Sequence, residues 1–231
     1  MTTGPVAPHD VWVVTAAYNE ARVIADVVAD VRRAGHPAVV VDDGSTDGTA
    51  AAARQAGAVV LEHPINLGQG AALQTALEFA LAAGARFIIT FDADGQHRAR
   101  DIPRLMDALL RDDADFALGS RFLGAALNMP PARRRLLRVA TWFTRLTTGL
   151  RITDSHNGLR ALTRRGALAI RLKQNRMAHA SEILHQISAS GLKYVEAPVT
   201  IEYSAYSLAK GQQLSNSLSI VLDLFARRLH R

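Results

Sequence analysis

Residues 87–97 read FIITFDADGQH: five strand-forming residues, Phe87–Phe91, that end abruptly on Asp92 and Asp94. The run is too short for a helix and too apolar for an exposed loop, so it reads as a buried strand. Upstream, Val11–Thr15 (VWVVT), Ala38–Val41 and Ala58–Leu61 repeat the pattern. Between them lie helical stretches: Ala21–Ala34, ended by Gly35 and Pro37, Thr49–Ala56, stopped by Gly57, and Ala71–Ala83, stopped by Gly84. Downstream, Ile102–Arg111 reads as a helix with Pro103 in its first turn, where a missing N–H costs nothing, and Phe116–Leu118 as a fifth strand. Strand and helix in alternation imply an α/β chain with a mainly parallel sheet covered on both faces. Ligands of such sheets gather at the carboxyl ends of the strands.

The second half is less regular. Ala125–Arg151 carries Arg133, Arg134, Arg135, Arg138, Arg145 and Arg151 and no acid. Leu136, Leu137, Val139, Trp142, Phe143, Leu146 and Leu150 are interleaved, which predicts a basic amphipathic helix behind Pro130-Pro131, arginines on one side and apolar residues on the other. A loop, Asp154–Gly158, follows. Leu159–Leu162 is expected as a strand, Ser181–Ser190 as a helix and Tyr194–Tyr203 as a strand interrupted at Pro198. Asn216–Arg231 reads as a C-terminal amphipathic helix with Leu218, Val221, Leu222, Phe225 and Leu229 on one face. No repeat or low-complexity linker divides the chain, so 231 residues are expected to form one domain.

Composition narrows the chemistry. With no cysteine, a disulfide framework, a thiolate zinc site and a cysteine nucleophile are excluded together. The formal charge of +6 is almost entirely arginine, since the only lysines are Lys173, Lys193 and Lys210. Arginine forks suit phosphate, so phosphorylated ligands and an anionic membrane face are natural partners. Aromatics at 6% are too sparse for stacking single-stranded nucleic acid. No run reaches the roughly 18 apolar residues of a membrane span. Met1–Asp10 lacks the basic start and apolar run of a signal peptide, so a cytoplasmic location is expected.

Carboxylates stand where the topology predicts a site. Asp42 and Asp43 follow the second strand in VVVDDGSTDGT, and Asp92 and Asp94 follow the fourth. Two such pairs on one sheet edge repel unless something positive lies between them. A divalent cation with a phosphorylated ligand answers that. Oxygen ligands from Asp92 and Asp94, with Gln96 or His97, suit Mg²⁺ or Mn²⁺. The plainer alternative for residues 44–48 is a turn and a helix cap. The other histidines, His9, His36, His63, His156, His179, His185 and His230, lack metal spacing and read as structural or exposed.

Six motifs stand in order along the chain: Thr15–Glu20 (TAAYNE), Val41–Thr49, Asn66–Gly70 (NLGQG), Phe91–His97, Gly119–Arg121 and Asp154–Arg160 (DSHNGLR). In register they resemble the family 2 glycosyltransferases of GT-A fold, specifically the dolichyl- or polyprenyl-phosphate sugar synthase branch. Thr15–Glu20 (TAAYNE) is similar to its P-A-Y-N-E element, Val41–Thr49 to V-D-D-G-S-x-D-G-T and Asn66–Gly70 (NLGQG) to N-x-G-K-G. Phe91–His97 resembles the D-x-D metal element, Gly119–Arg121 the G-S-R element and Asp154–Arg160 (DSHNGLR) the D-x-x-S-G-F-R element. The resemblance runs from about Val11 to Lys210. It implies a Rossmann-like GT-A unit whose residues 11–120 hold the nucleotide sugar and whose residues 121–231 hold the acceptor. It implies that Tyr18 and Asp43 hold the donor's base, with Ala17, Glu20 and Gly68 lining the pocket and Asp42 shaping it. Asp92, Asp94 and Gln96 would hold Mg²⁺ or Mn²⁺ on the diphosphate. Arg121, with one or more of Arg133, Arg134 and Arg135, would receive the acceptor's phosphate, and His156 and Asn157 would tune that pocket. The chain departs from the branch at Ala16 for proline and Gln69 for lysine. It departs again at Tyr203, near a usual arginine, and at Tyr206–Lys210 in place of G-x-S-K.

The implied reaction is metal-dependent inverting transfer from a UDP- or GDP-linked sugar to a polyprenyl phosphate, a cell-envelope chemistry. A phosphate acceptor is already anionic and needs no base. A hydroxyl acceptor needs one, and Asp154 or Glu182 is then the candidate. The basic helix fits a membrane interface, where anionic lipid attracts about 1 kcal/mol per basic residue. This places the chain as peripheral on the cytoplasmic face, attached directly or through a membrane partner protein. The tail helix offers a second interfacial element or a homodimer contact. A nicotinamide oxidoreductase is disfavoured because Ala16–Asn19 after the first strand holds no glycine. A nucleotidyltransferase would need a glycine- and basic-rich loop there. A non-catalytic nucleotide-sugar-binding scaffold stays open, favoured only by Gln69 and Tyr203. Nucleic-acid binding is not expected, because no recognition motif accompanies the arginines.

Overall fold

A computed structural model of the chain describes residues 6–174, 178–204 and 206–207. Seven strands form one sheet: β1 (Val11–Ala17), β2 (Ala38–Asp42), β3 (Val59–Glu62), β4 (Phe87–Thr90), β5 (Phe116–Leu127), β6 (Arg160–Thr163) and β7 (Tyr194–Glu202). Their order is β3-β2-β1-β4-β6-β5-β7. All pairs are parallel except those of β6, which runs antiparallel to β4 and β5. The helices are α1 (Ile24–Arg33), α2 (Thr49–Gln55), α3 (Gln69–Ala82), α4 (Ile102–Arg111), α5 (Pro131–Thr148), α6 (Arg164–Leu168) and α7 (Ala178–Ser190).

Alternation along the strands splits the core in two, as a sheet covered on both faces requires. Val13, Val40, Phe87 and Ile89 pack against α1 and α4 through Val27, Val31, Leu105 and Leu109. Val14, Val39, Val41 and Ile88 pack against α3 and α7 through Ala76, Leu77, Ile183 and Leu184. The chain order reverses direction across β1, with β2 on one side and β4 on the other, so a crevice opens beyond their carboxyl ends. Because β6 runs the other way, its first residue, Arg160, pairs with Thr90, the last residue of β4. The loop preceding β6 is thereby delivered to the same edge.

Three expectations need correction. β5 continues far beyond Leu118, with a bulge: Ser120 pairs with Pro198, but pairing resumes only at Ala125 with Thr200. The extra residues, Arg121–Gly124, are pushed out of the ladder, and this re-aims Arg121. β7 is not interrupted at Pro198, because β7 is the edge strand and tolerates a missing N–H. The faces of α5 do not segregate as predicted. Leu137 and Phe143 are buried, whereas Val139, Trp142 and Leu146 are 53–58% exposed, on the side that carries Arg135, Arg138 and Arg145. The predicted tail helix lies outside the described residues.

Candidate active site

A cavity of about 540 Å³ lies at the carboxyl ends of β1 and β4. Of the residues singled out from the sequence, it is lined by Ala17, Tyr18, Glu20, Asp43, Gly68, Asp92, Asp94, Gln96, Arg121, Arg133, His156 and Asn157. Asp42, Arg134, Arg135, Asp154 and Glu182 are not among its walls.

The β1 and β2 loops are stitched together. Asn19 takes a left-handed backbone (φ 53°), its N–H donates to Ser45 Oγ at 2.9 Å, and its Oδ1 accepts from Thr46 N at 3.0 Å. Glu20 N donates to Thr49 Oγ1 at 2.8 Å and Ala21 N to Asp47 Oδ2 at 3.1 Å. The turn reading of residues 44–48 therefore holds for Ser45 and Asp47. Gly44 is required there: its φ is 73° and a Cβ would sit 2.6 Å from the Ile65 carbonyl carbon. Asp42 accepts hydrogen bonds from Ser45 and shapes the turn. Buried Asp43 accepts from Leu67 N (2.9 Å) and Gly68 N (2.7 Å), with His63 Nδ1 at 2.8 Å, and so fixes the loop that opens α3.

Asp92 and Asp94 face the cavity. Burial pushes the Asp94 carboxyl up to about 6, and the charge of Asp92 pushes it further the same way. Burial would also raise Asp92, but the hydrogen bond from His97 (3.0 Å) and the charges of His97, Arg160 and His179 outweigh it and hold it low. Asp94 also accepts from Gln96 N at 3.0 Å. Two repelling carboxylates beside an amide oxygen suit a hard divalent cation. Among the described residues no three His, Cys, Asp or Glu side chains gather into a metal cage, so such an ion would complete its shell from a ligand. His97 is turned onto Asp92: its Nε2 lies 3.0 Å from Asp92 Oδ2, its ring meets the edge of Phe91, and its Nδ1 is buried with no partner among the described residues. Gly158 packs directly on this pair. A Cβ there would run into the Asp92 carboxylate, and Thr90 Oγ1 holds the Gly158 carbonyl at 2.5 Å.

The far end of the cavity is cationic. Arg121 Nε donates to Asp154 Oδ2 at 2.6 Å, Nη1 to Tyr203 Oη at 2.6 Å and Nη2 to the His156 carbonyl. Arg133 lies over the Tyr203 ring, 5.0 Å from its centroid. Tyr203, the departure from the branch, thus braces both arginines. Burial pushes His156 down to about 4 against the opposing charge of Asp154, so its ring is neutral at pH 7.

Neither proposed base is placed to act as one. Asp154 is buried and also accepts from Arg121 N (3.1 Å) and His156 N (3.2 Å), so its oxygens brace the loop. Glu182 accepts from Lys173 N (3.1 Å) and Gln174 N (2.9 Å) away from the cavity, and its helix begins at Ala178 rather than Ser181. Arg134 lines a second cavity of about 360 Å³ with Arg138, Arg145 and Trp142, and Arg135 is exposed. Sequence reasoning missed Arg160 and His179, both buried in the cavity wall. Arg160 had a signal: it is a lone charge inside the buried run Leu159–Leu162. His179 had none.

A family model described as Glycosyl transferase family 2 matches residues 12–169. The UDP-N-acetylglucosamine–dolichyl-phosphate N-acetylglucosaminyltransferase of Methanococcus voltae is 28% identical, over 95% of this chain and 96% of that relative. The polyprenol monophosphomannose synthase of Mycolicibacterium smegmatis is 29% identical, over 86% of this chain and 79% of that relative. A similar fold is seen in the Mycobacterium tuberculosis glucosyl-3-phosphoglycerate synthase, solved with Mn²⁺, UDP-glucose and phosphoglyceric acid. It aligns with a TM-score of 0.67 at 20% identity, over 94% of this chain and 79% of that one.

The contact at Gly158 is testable. Gly158→Ala should displace the Asp92 carboxylate at a cost of about 1–3 kcal/mol in stability. Thermal denaturation should show a folded protein in which Mn²⁺ no longer strengthens UDP binding; an unchanged Mn²⁺ effect would show that the contact does not matter.

Proposed function

We propose, on the premise that the chain belongs to glycosyl transferase family 2, in the branch similar to polyprenyl-phosphate sugar synthases, and is a glycosyltransferase, that it transfers a sugar, with inversion, from a UDP- or GDP-linked donor to a polyprenyl phosphate. The observation that carries the acceptor class is the cationic end of the cavity. Arg121 and Arg133 converge there, and each cavity carboxylate has another commitment. Glu20 accepts from Tyr206 Oη at 2.8 Å, Asp43 holds the α3 loop, and Asp92 and Asp94 form the repelling pair. A site with arginines and no uncommitted carboxylate suits a nucleophile that is already an anion.

Asp92 and Asp94, with Gln96, are the residues that would hold Mg²⁺ or Mn²⁺. When bound, the ion would neutralise charge building on the departing diphosphate. Tyr18, Glu20, Asp43 and Gly68 form the donor pocket, and UDP, named for one relative and one structural neighbour, is the first nucleotide to test. Arg121 and Arg133 hold the acceptor phosphate so that its oxygen attacks the anomeric carbon. As that bond forms, the bond from the carbon to the diphosphate oxygen breaks, and its electrons leave with the diphosphate. Residues 11–120 and 121–231 then act as donor and acceptor halves of one unit.

Two further features support a lipid. Leu136, Leu137 and Ala140 of α5 form an apolar wall beside Arg133. The exposed Val139, Trp142 and Leu146 lie on the same helix among arginines, as in helices that sit in a bilayer surface. No helix among the described residues is long and apolar enough to cross a membrane; the exposed α5 face is what the reading of peripheral attachment on the cytoplasmic face rests on. A second reading is a small phosphorylated acceptor, favoured by the phosphoglyceric acid in the structural neighbour.

Incubation with Mn²⁺, a short-chain polyprenyl phosphate and each of UDP-glucose, UDP-N-acetylglucosamine and GDP-mannose should yield a glycosyl phosphoprenol of inverted anomeric configuration. Asp94→Asn should lower the rate by at least about 100-fold. Transfer only to phosphoglyceric acid would select the second reading. For the membrane, Trp142→Ala with Arg135→Gln and Arg138→Gln should reduce co-sedimentation with anionic vesicles, and unchanged co-sedimentation would remove the interfacial role of α5.

A further inference from the structure

Arg160 is the first residue of β6, and its side chain lies in the wall of the catalytic cavity with only 5% of the residue exposed. Among the described residues it makes no hydrogen bond or ion pair. Its nitrogens are nevertheless not sealed off, because among the described residues the only enclosed side-chain nitrogen or oxygen without a partner is His97 Nδ1. The guanidinium therefore opens into the cavity. Burial weakens its hold on its proton, while the charges of Asp92 and Asp154 oppose that loss. It thus stands between the carboxylate pair on the donor side and the Arg121–Asp154 pair on the acceptor side. A guanidinium stays charged in proteins and has five N–H donors in a planar fork. Buried without a partner it is costly, and a ligand anion would remove that cost.

We propose that Arg160 grips an oxygen of the acceptor's phosphate at the junction of the two halves of the cavity, completing a three-arginine cradle with Arg121 and Arg133. This rests on the phosphate-acceptor reading above and extends it. The cradle is graded. Arg121 is pinned by Asp154, Tyr203 and the His156 carbonyl, and Arg133 is stacked on Tyr203. Neither Arg133 nor Arg160 has a protein acceptor among the described residues, but Arg133 is only half-buried and stacked whereas Arg160 is buried, so Arg160 is the arginine with most to gain from the ligand. The direction of β6 is what makes this geometry: an antiparallel strand begins where its parallel neighbours end, so its first side chain arrives at the reacting edge. Paired across the ladder, Thr90 holds the Gly158 carbonyl and fixes the approach to Arg160.

The rival role is a counter-charge for Asp92, and the two separate by sign. Arg160 repels a cation bound at Asp92 and Asp94, so its removal should leave Mn²⁺·UDP binding unchanged or tighter. Calorimetric titration of the Mn²⁺·UDP-loaded protein would use three probes: a short-chain prenyl phosphate, phosphoglyceric acid and the uncharged prenyl alcohol. Wild type should bind a phosphate probe and not the alcohol. Arg160→Gln should weaken that binding at least tenfold with Mn²⁺·UDP affinity kept, and Arg160→Lys, with charge but no fork, should recover only part of it. Retained Mn²⁺·UDP binding also shows that the Gln variant is folded. If Arg160→Gln binds the phosphate probe as wild type does, loses Mn²⁺·UDP in parallel, or if wild type binds no phosphate probe, the assignment is overturned. If wild type takes phosphoglyceric acid but not the prenyl phosphate, and Arg160→Gln loses it, Arg160 keeps its role and only the lipid reading falls.

Discussion

Two like charges forced together at the end of a buried strand organise this molecule. Asp92 and Asp94 follow Phe87–Phe91 with one residue between them, and β4 delivers both to the crevice where the sheet's chain order reverses. Burial, with their repulsion added, raises Asp94 to about 6. His97, Arg160 and His179 offset part of that repulsion at Asp92, on whose carboxylate the Gly158 main chain packs, while Glu20 adds to it at Asp94. A divalent cation held between the two carboxylates, as proposed, would relieve that repulsion.

The cationic end of the cavity, the proposed acceptor side, is built by two irregularities in an otherwise regular sheet. The antiparallel strand β6 brings the 154–160 loop to the reacting edge, and the β5 bulge turns Arg121 out of the ladder toward that loop. Asp154 then meets Arg121 and takes the place of a solvent shell rather than the place of a base. A carboxylate so engaged cannot readily accept a substrate proton, whereas the arginines it organises can hold an anion. The same geometry accounts for Tyr203. A phenol whose oxygen meets one guanidinium while its ring carries another ties β7 to both acceptor arginines.

Much of this was legible in the sequence because the donor half obeys local rules. Apolar runs with carboxylates immediately after them mark strands and site together, and glycines mark the helix ends, so Asp43, Asp92 and Asp94 emerge at the right edge. The acceptor half depends on non-local facts. Nothing in Leu159–Leu162 states that the strand runs antiparallel, so Arg160 reads as an exception rather than as a site residue. A bulge that extends β5 from Leu118 to Leu127 is invisible until β7 is paired beside it. Glu182 was misplaced by the start of its helix, three residues earlier than its polar pattern suggests, and Asp154 by a partner 33 positions away. The faces of α5 were misread because an alternation of arginine and leucine fits more than one helical register.

The most direct test of the carboxylate pair is the thermal midpoint between pH 5 and 8, with and without Mn²⁺ and UDP. In the folded protein Asp94 titrates near 6, above its ordinary value of 3.8. Its protonated form therefore favours folding, and that contribution is lost as pH rises through about 6. In the proposed function a metal binds the ionised form and so reverses the loss. Expected is a midpoint shift from Mn²⁺ with UDP that grows from pH 5 to 8, and that is absent at every pH in Asp94→Asn. A shift of equal size at both ends of the range, or one that survives in Asp94→Asn, would contradict the central role given to this pair.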